Sequence, residues 1–275
     1  MGGNAIKNSV SIKKEFIGPT LDYIYTQFLP KIKLSKNDTR VLGSVGKKPV
    51  SGDIDIAIDF RKIIINNNLA EDYIGFFMYQ AAGVFPEVIR MKGINVISVA
   101  CPIIGFKTDE FVQVDFMLTD DLEFTEFAYY SPSQLESKYK GLYRNILLYE
   151  ILKAVGFKII KEINGNPREW ESYNFNINKG LMKRVQSIEG KKGILSKAKT
   201  IKEVPVTKDP ETILEIAFGD KVKDVAEINT FEKLYDLIRT LKLPFSDKLP
   251  EIFKNTANGI HSLGYPIPEE LEVEL

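Results

Sequence analysis

Histidine and cysteine are almost missing from the 275-residue chain, which has one of each, His261 and Cys101. A lone cysteine excludes an intramolecular disulfide and fits a reducing compartment. One histidine with one cysteine excludes a Cys/His zinc centre, so any metal must be held by oxygen ligands. Long apolar runs are missing too: none approaches the roughly 18 residues of a membrane span. The longest, over residues 74–89, is broken by Tyr79, Gln80, Gly83, Pro86 and Glu87. Residues 1–9 show no apolar stretch followed by a small-residue cleavage site, so no signal peptide and a cytoplasmic location are expected. Internal repeats and low-complexity segments are absent, and nothing indicates an oligomeric state.

Net charge is also lacking, with 37 basic against 37 acidic side chains, but the balance is uneven along the chain. Residues 137–202 hold 15 basic and 5 acidic groups, enough to attract a polyanion, and include Lys183, Arg184, Lys191 and Lys192. The flanking blocks are both acidic.

What is present is a mixture of helix and strand patterns, the strands all in the first half. Helices are expected over residues 11–29, interrupted at Gly18 and Pro19, over 68–82, and over 133–155 with Ser131 as N-cap. Further helices are expected over 210–218, 230–241 and 246–255. Strands are expected over 39–42, 53–60, 94–101 and 110–118, with a turn over 105–109. A turn over 164–167 marks the expected domain boundary, giving domains 1–160 and 161–275.

The stretch 41–60 carries the chemistry. Side chains alternate faces in a strand, so Asp53, Asp55, Ala57 and Asp59 share one face while Ile54, Ile56, Ile58 and Phe60 share the other. Neighbouring carboxylates repel unless a cation lies between them, and an all-oxygen donor set suits Mg²⁺, with Mn²⁺ as a substitute. On residues 111–118 the apolar face is Val112, Val114, Phe116 and Leu118, which turns Gln113, Asp115 and Met117 the other way. If the two strands are neighbours, Asp115 joins the pair, and three acids can hold two ions about 3.5–4 Å apart. Gly43 and Ser44 end the preceding strand; a glycine there permits close backbone approach, and exposed N–H groups with Lys47 or Lys48 suit terminal phosphates.

Gly43-Ser44, then Gly52-Asp53-Ile54-Asp55-Ile56, then Val114-Asp115-Phe116 together resemble the signature of the DNA polymerase beta-like nucleotidyltransferase superfamily, over about residues 35–120. The resemblance is greatest to family X DNA polymerases. It implies an α+β nucleotidyltransferase fold, a mixed central sheet flanked by helices, in a catalytic domain of residues 1–160. It also implies two Mg²⁺ ions, with Asp53 and Asp55 ligating both and Asp115 ligating the catalytic one and accepting the proton of the attacking hydroxyl. The nucleotide-binding set is Gly43, Ser44, Lys47, Lys48 and Gly52, and an NTP or dNTP is the donor. The sugar-selecting Tyr-Phe-Thr-Gly-Ser motif of family X is missing, which tilts the acceptor from a DNA toward an RNA 3′ end. Residues 161–275 are expected to be a mostly helical, acceptor-binding domain, basic at its start.

Lys140 and Arg144, four apart on one helical face, are further candidates for a triphosphate or nucleic-acid backbone. Tyr139 and Tyr143 are expected to pack on a neighbouring element, Asp59 to be a surface acid at a strand end, Trp170 to pack and Cys101 to be a plain buried thiol. Two other functions fit the same residues: transfer to a small-molecule or protein hydroxyl, and a non-catalytic nucleic-acid-binding module.

Overall fold

A computed structural model describes residues 5–70, 72–91, 95–106, 110–163, 165–188 and 198–274. Ile94, Lys107, Thr108, Asp109, Asn164, Lys191 and Lys192 lie outside them. The chain divides into two compact units, Met1–Leu135 and Glu136–Leu275. The division therefore falls ahead of the expected boundary.

In the first unit, β1 (Ile12–Lys13) leads into α1 (Lys14–Tyr23), which runs through Pro19 and widens into a π-type turn at Ile24–Phe28. Then come β2 (Thr39–Val41), β3 (Val50–Ser51), β4 (Asp53–Asp59), α2 (Phe60–Asn67) and α3 (Tyr73–Ala82). The unit ends with β5 (Val88–Arg90), β6 (Val96–Pro102), β7 (Phe111–Thr119) and α4 (Leu122–Ala128). Five of these strands form a sheet in the order β2-β4-β7-β6-β5, mixed because β4 and β7 run parallel while the other neighbours are antiparallel.

Burial fixes this sheet. Ile54, Ile56 and Ile58 are fully buried, as are Val112, Val114 and Phe116 on the neighbouring strand. Each large side chain so removed from water contributes about 1.5–3 kcal/mol. The rings of Phe28, Phe77, Phe85 and Phe116 interlock over that face, Phe28 lying 5.0 Å from Phe77 and 5.2 Å from Phe116. A slip of one residue would expose every isoleucine of β4, so the register is pinned. On the other face α4 packs against β4. Asp59 is not the expected surface acid. It is 6% exposed and caps α2, accepting from the Arg61 backbone N at 3.0 Å and from Arg61 Nη2 at 2.9 Å. Phe60 accordingly begins the helix instead of ending the strand.

The second unit opens with α5 (Gly141–Val155). The helix expected from residue 133 begins later because Glu232 accepts from Ser137 Oγ at 2.7 Å and from the Lys138 backbone N at 3.2 Å, holding those residues in a turn. Next is an antiparallel sheet with no counterpart in the sequence expectations, β8 (Lys158–Ile163), β9 (Asn166–Asn176), β10 (Gly180–Ser187) and β11 (Lys199–Thr207). The expected boundary turn lies within the β8–β9 hairpin, whose last pair is Ile163 with Asn166. Three expected helices follow, α6 (Pro210–Phe218), α7 (Phe231–Thr240) and α8 (Leu249–Ser262), the last running beyond its expected end at residue 255, and then an unexpected short α9 (Glu269–Glu272). Among the described residues no helix is long and apolar enough to cross a membrane.

Candidate metal centre

The parallel register sets Asp55 directly opposite Asp115, and Asp53 opposite Gln113. One carboxylate oxygen from each of Asp53, Asp55 and Asp115 lies within 4.8 Å of the others. Burial pushes the Asp55 carboxyl up to about 7, helped by the charges of Asp53 and then Asp115. Burial and the Asp115 charge raise Asp53 as well. Acids so crowded are unfavourable as bare anions, and a divalent cation removes the penalty. The donor set is oxygen only, which fits Mg²⁺ or Mn²⁺ and not a thiolate or imidazole metal.

Asp115 is held in place by two residues given no role from the sequence. Ser98 Oγ donates to Asp115 Oδ1 at 2.6 Å, and Gln113 Nε2 donates to both carboxylate oxygens at 2.9 and 3.0 Å. The Gln113 carbonyl in turn accepts from the backbone N–H of Ala5 at 2.9 Å and Ile6 at 3.0 Å. Two N–H donors can face only the oxygen of the amide, which settles its orientation. The signals for these residues were there: a serine inside the apolar run of β6, opposite Asp115, and a glutamine two positions before Asp115 on the same face. Tyr129, also given no role from the sequence, senses Asp55 instead: burial, and then the charge on Asp55, raise its phenol.

The glycine-serine turn abuts the acids. Gly43 has φ +65°, and a Cβ there would lie 3.0 Å from Asp55 Oδ2. Leu42 N donates to the Asp55 carbonyl at 2.9 Å, and Gly43 bridges to Tyr130. The Lys47 backbone N donates to Ser44 O at 3.1 Å, closing the turn. The side chain of Lys47 secures the same loop, its Nζ 2.6 Å from Ser131 O and 4.6 Å from the Tyr130 ring centre. Lys48 instead lines an open cleft of about 570 Å³ with Lys13, Lys14, Glu15 and Lys47. Gly52 is exposed just before β4, with nothing near its Cβ position.

The remaining candidates belong to the second unit. Arg144 is a correction: it is fully buried, with Nε donating to Ile228 O at 3.2 Å and Nη1 to Asn145 Oδ1 at 2.6 Å. Shared helical spacing with Lys140 did not make a solvent face, because α5 packs on several neighbours. Lys140 Nζ stands 4.6 Å from the Tyr265 ring centre. Tyr139 and Tyr143 do pack, on each other and on Phe231. In the first unit, Cys101 is a buried thiol that burial raises to about 12.

No protein-family model matches the chain, and no curated protein sequence matches it. Solved structures do match, among them a Leishmania infantum polymerase beta in a ternary P/T complex. That protein is 13% identical with a TM-score of 0.39, and the match covers 64% of this chain. The chain spans 58% of that polymerase's length. A likeness at this level assigns no activity; the functional reading rests on the carboxylates and what surrounds them.

Proposed function

We propose that the chain is a Mg²⁺-dependent nucleotidyltransferase that moves a nucleoside monophosphate from an NTP or dNTP to the 3′ hydroxyl of a nucleic acid, RNA before DNA. One observation carries this: three aspartates from two parallel strands converge beside a glycine turn whose backbone approaches them. Asp53, Asp55 and Asp115 would hold two ions. Bound Mg²⁺ supplies neutralisation of phosphoryl charge and acidification of the attacking hydroxyl. The hydroxyl oxygen forms a bond to the α-phosphorus, the bond from that phosphorus to the bridging oxygen breaks, and pyrophosphate leaves. Asp115, oriented by Ser98 and Gln113, takes the hydroxyl proton on a carboxylate oxygen. Backbone N–H groups of the Gly43–Ser44 turn bind terminal phosphates, and positioning supplies most of the acceleration.

Charge favours a polyanionic acceptor. Lys13, Lys14 and Lys48 line their cleft with no ion-pair partner among the described residues. In the basic block, Lys183 pairs with Glu171 at 2.7 Å and Arg184 with Glu203 at 2.8 Å, but Lys158, Lys161, Lys199 and Lys202 have no acidic partner among the described residues. The test is Mg²⁺-dependent extension of mixed RNA and DNA oligonucleotides with each α-labelled NTP and dNTP. Asp53→Asn with Asp55→Asn should abolish it; labelling that survives both changes would remove the metal site from the reaction.

A further inference from the structure

The second unit contains a pocket that the transfer chemistry does not use. It is a cavity of about 240 Å³ where the end of α5, the start of the β8–β9 sheet and α8 meet. Its walls include Phe157, Trp170 and Ile252, and Ser172, Glu251 and Asn255 supply polar groups. The lining is mostly apolar with a few hydrogen-bonding groups, the make-up of a ligand site. Ser172 is only 4% exposed, yet its hydroxyl has no hydrogen-bond partner among the described residues. The Trp170 indole N–H and the Asn255 amide have none either. Other rim groups are already engaged: Lys153 pairs with Glu150 at 3.1 Å, and Lys248 Nζ donates to Ala154 O at 3.0 Å. Phe157 at the mouth is 41% exposed, with Lys248 Nζ 5.9 Å from its ring centre on one side.

We infer that this pocket takes one unpaired nucleobase of a single-stranded nucleic acid. The Trp170 and Phe157 rings offer stacking faces, and the unused Ser172 hydroxyl and Asn255 amide match the hydrogen-bonding edge of a base. The volume suits one planar ring system, not a whole nucleotide. Charge identifies the occupant as a strand: Lys158 and Lys161 follow Phe157 on exposed β8 and have no acidic partner among the described residues, so phosphates flanking a bound base meet cations. Glu251 is the one unpaired anion of the lining, and its carboxylate accepts from an exocyclic amino group. The inference rests on the proposed transfer reaction only in making that strand the acceptor.

Trp170 is the chain's single tryptophan, so its emission reports on this pocket alone. The full chain carrying Asp55→Asn, which stops turnover, is titrated with single-stranded RNA and DNA of about a dozen nucleotides, with the matching duplex and with free nucleoside monophosphates. Saturable quenching is expected with either strand, and binding roughly 10-fold weaker for the duplex and for Phe157→Leu. Asn255→Ala should weaken it less, and Lys158→Gln with Lys161→Gln should flatten its salt dependence. Emission unchanged at concentrations where gel shift shows strand binding would overturn the inference. So would quenching by free monophosphates as strong as by strands, which makes the cavity a small-molecule site. Quenching without any Asp53-dependent labelling leaves the pocket standing and removes the transfer reaction; labelling with silent emission does the reverse.

Discussion

The two sheets of this chain differ in how far burial reaches: the second buries Phe175, Leu181 and Met182 on its inner strands β9 and β10 but leaves both outer strands in water. In the five-stranded sheet of the first unit, β4 and β7 bury apolar residues, and the aromatic cluster of Phe28, Phe77, Phe85 and Phe116 locks them. In the four-stranded sheet of the second unit, β8 is exposed along its whole length and β11 nearly so. Its strands are tied across by ion pairs such as Arg184 with Glu203, and its pairing shifts register between Leu181 and Met182 and between Val185 and Gln186. Exposed pairs of this kind contribute little. A sheet that must hold three carboxylates within 4.8 Å needs the first solution. The surface proposed to meet a flexible strand works with the second.

The sharpest way to break this contrast is to truncate one large apolar side chain in each sheet. Phe116→Ala removes a fully buried ring and should cost about 3–5 kcal/mol. Ile201→Ala removes a side chain that is 56% exposed and should change stability by no more than about 0.5 kcal/mol. Urea unfolding followed by circular dichroism measures both, and equal losses would show that the outer strand β11 is covered in solution.

A smaller effect concerns charge in the rigid sheet. The Asp55 carboxyl titrates near 7 when folded and near its ordinary 3.8 when unfolded, so the folded state binds the proton more tightly. Stability of the metal-free protein therefore falls as pH rises from about 4 to about 7, by a few kcal/mol at most. Asp55→Asn should flatten that fall and raise the metal-free midpoint at pH 8. It should also remove most of the stabilisation that Mg²⁺ gives the native protein. Thermal melts with EDTA and with Mg²⁺ at pH 5 and pH 8 check this; the same slope in Asp55→Asn as in the native chain would show that burial and the neighbouring acids do not raise the Asp55 carboxyl.

The same contrast explains what the sequence made legible. Strict alternation in residues 53–59 and 112–118 comes from one apolar face opposite a polar one, so the strands, their faces and the three aspartates could be read directly. The run Lys158-Ile-Ile-Lys-Glu-Ile163 has no such period because both its faces are exposed, and the four-stranded sheet went unseen. The β8–β9 turn then passed for a domain boundary. Arg144 misled for a different reason. Its spacing from Lys140 is local information, whereas its burial depends on Ile228 and other partners far along the chain. Asp59 likewise looked like a strand-end acid until the helix that it caps was known.

Gln113 gives the smallest and most informative change. Its amide joins Asp115 to the backbone of Ala5 and Ile6, so the segment before β1 is tied to the candidate metal centre through one side chain. Removing a partner that orients a metal ligand typically costs about 10–100-fold in metal affinity. Gln113→Leu keeps the bulk, drops the hydrogen bonds and leaves the Ala5 and Ile6 N–H groups without their acceptor. Mn²⁺ affinity followed by electron paramagnetic resonance should fall by about 10-fold, near the bottom of that range because Ser98 still donates to Asp115. Ser98→Ala alone should cost less, having one hydrogen bond where Gln113 has two. The double change should exceed either, and if the double variant binds Mn²⁺ as well as the native chain, the rigid β4–β7 pairing alone orients Asp115.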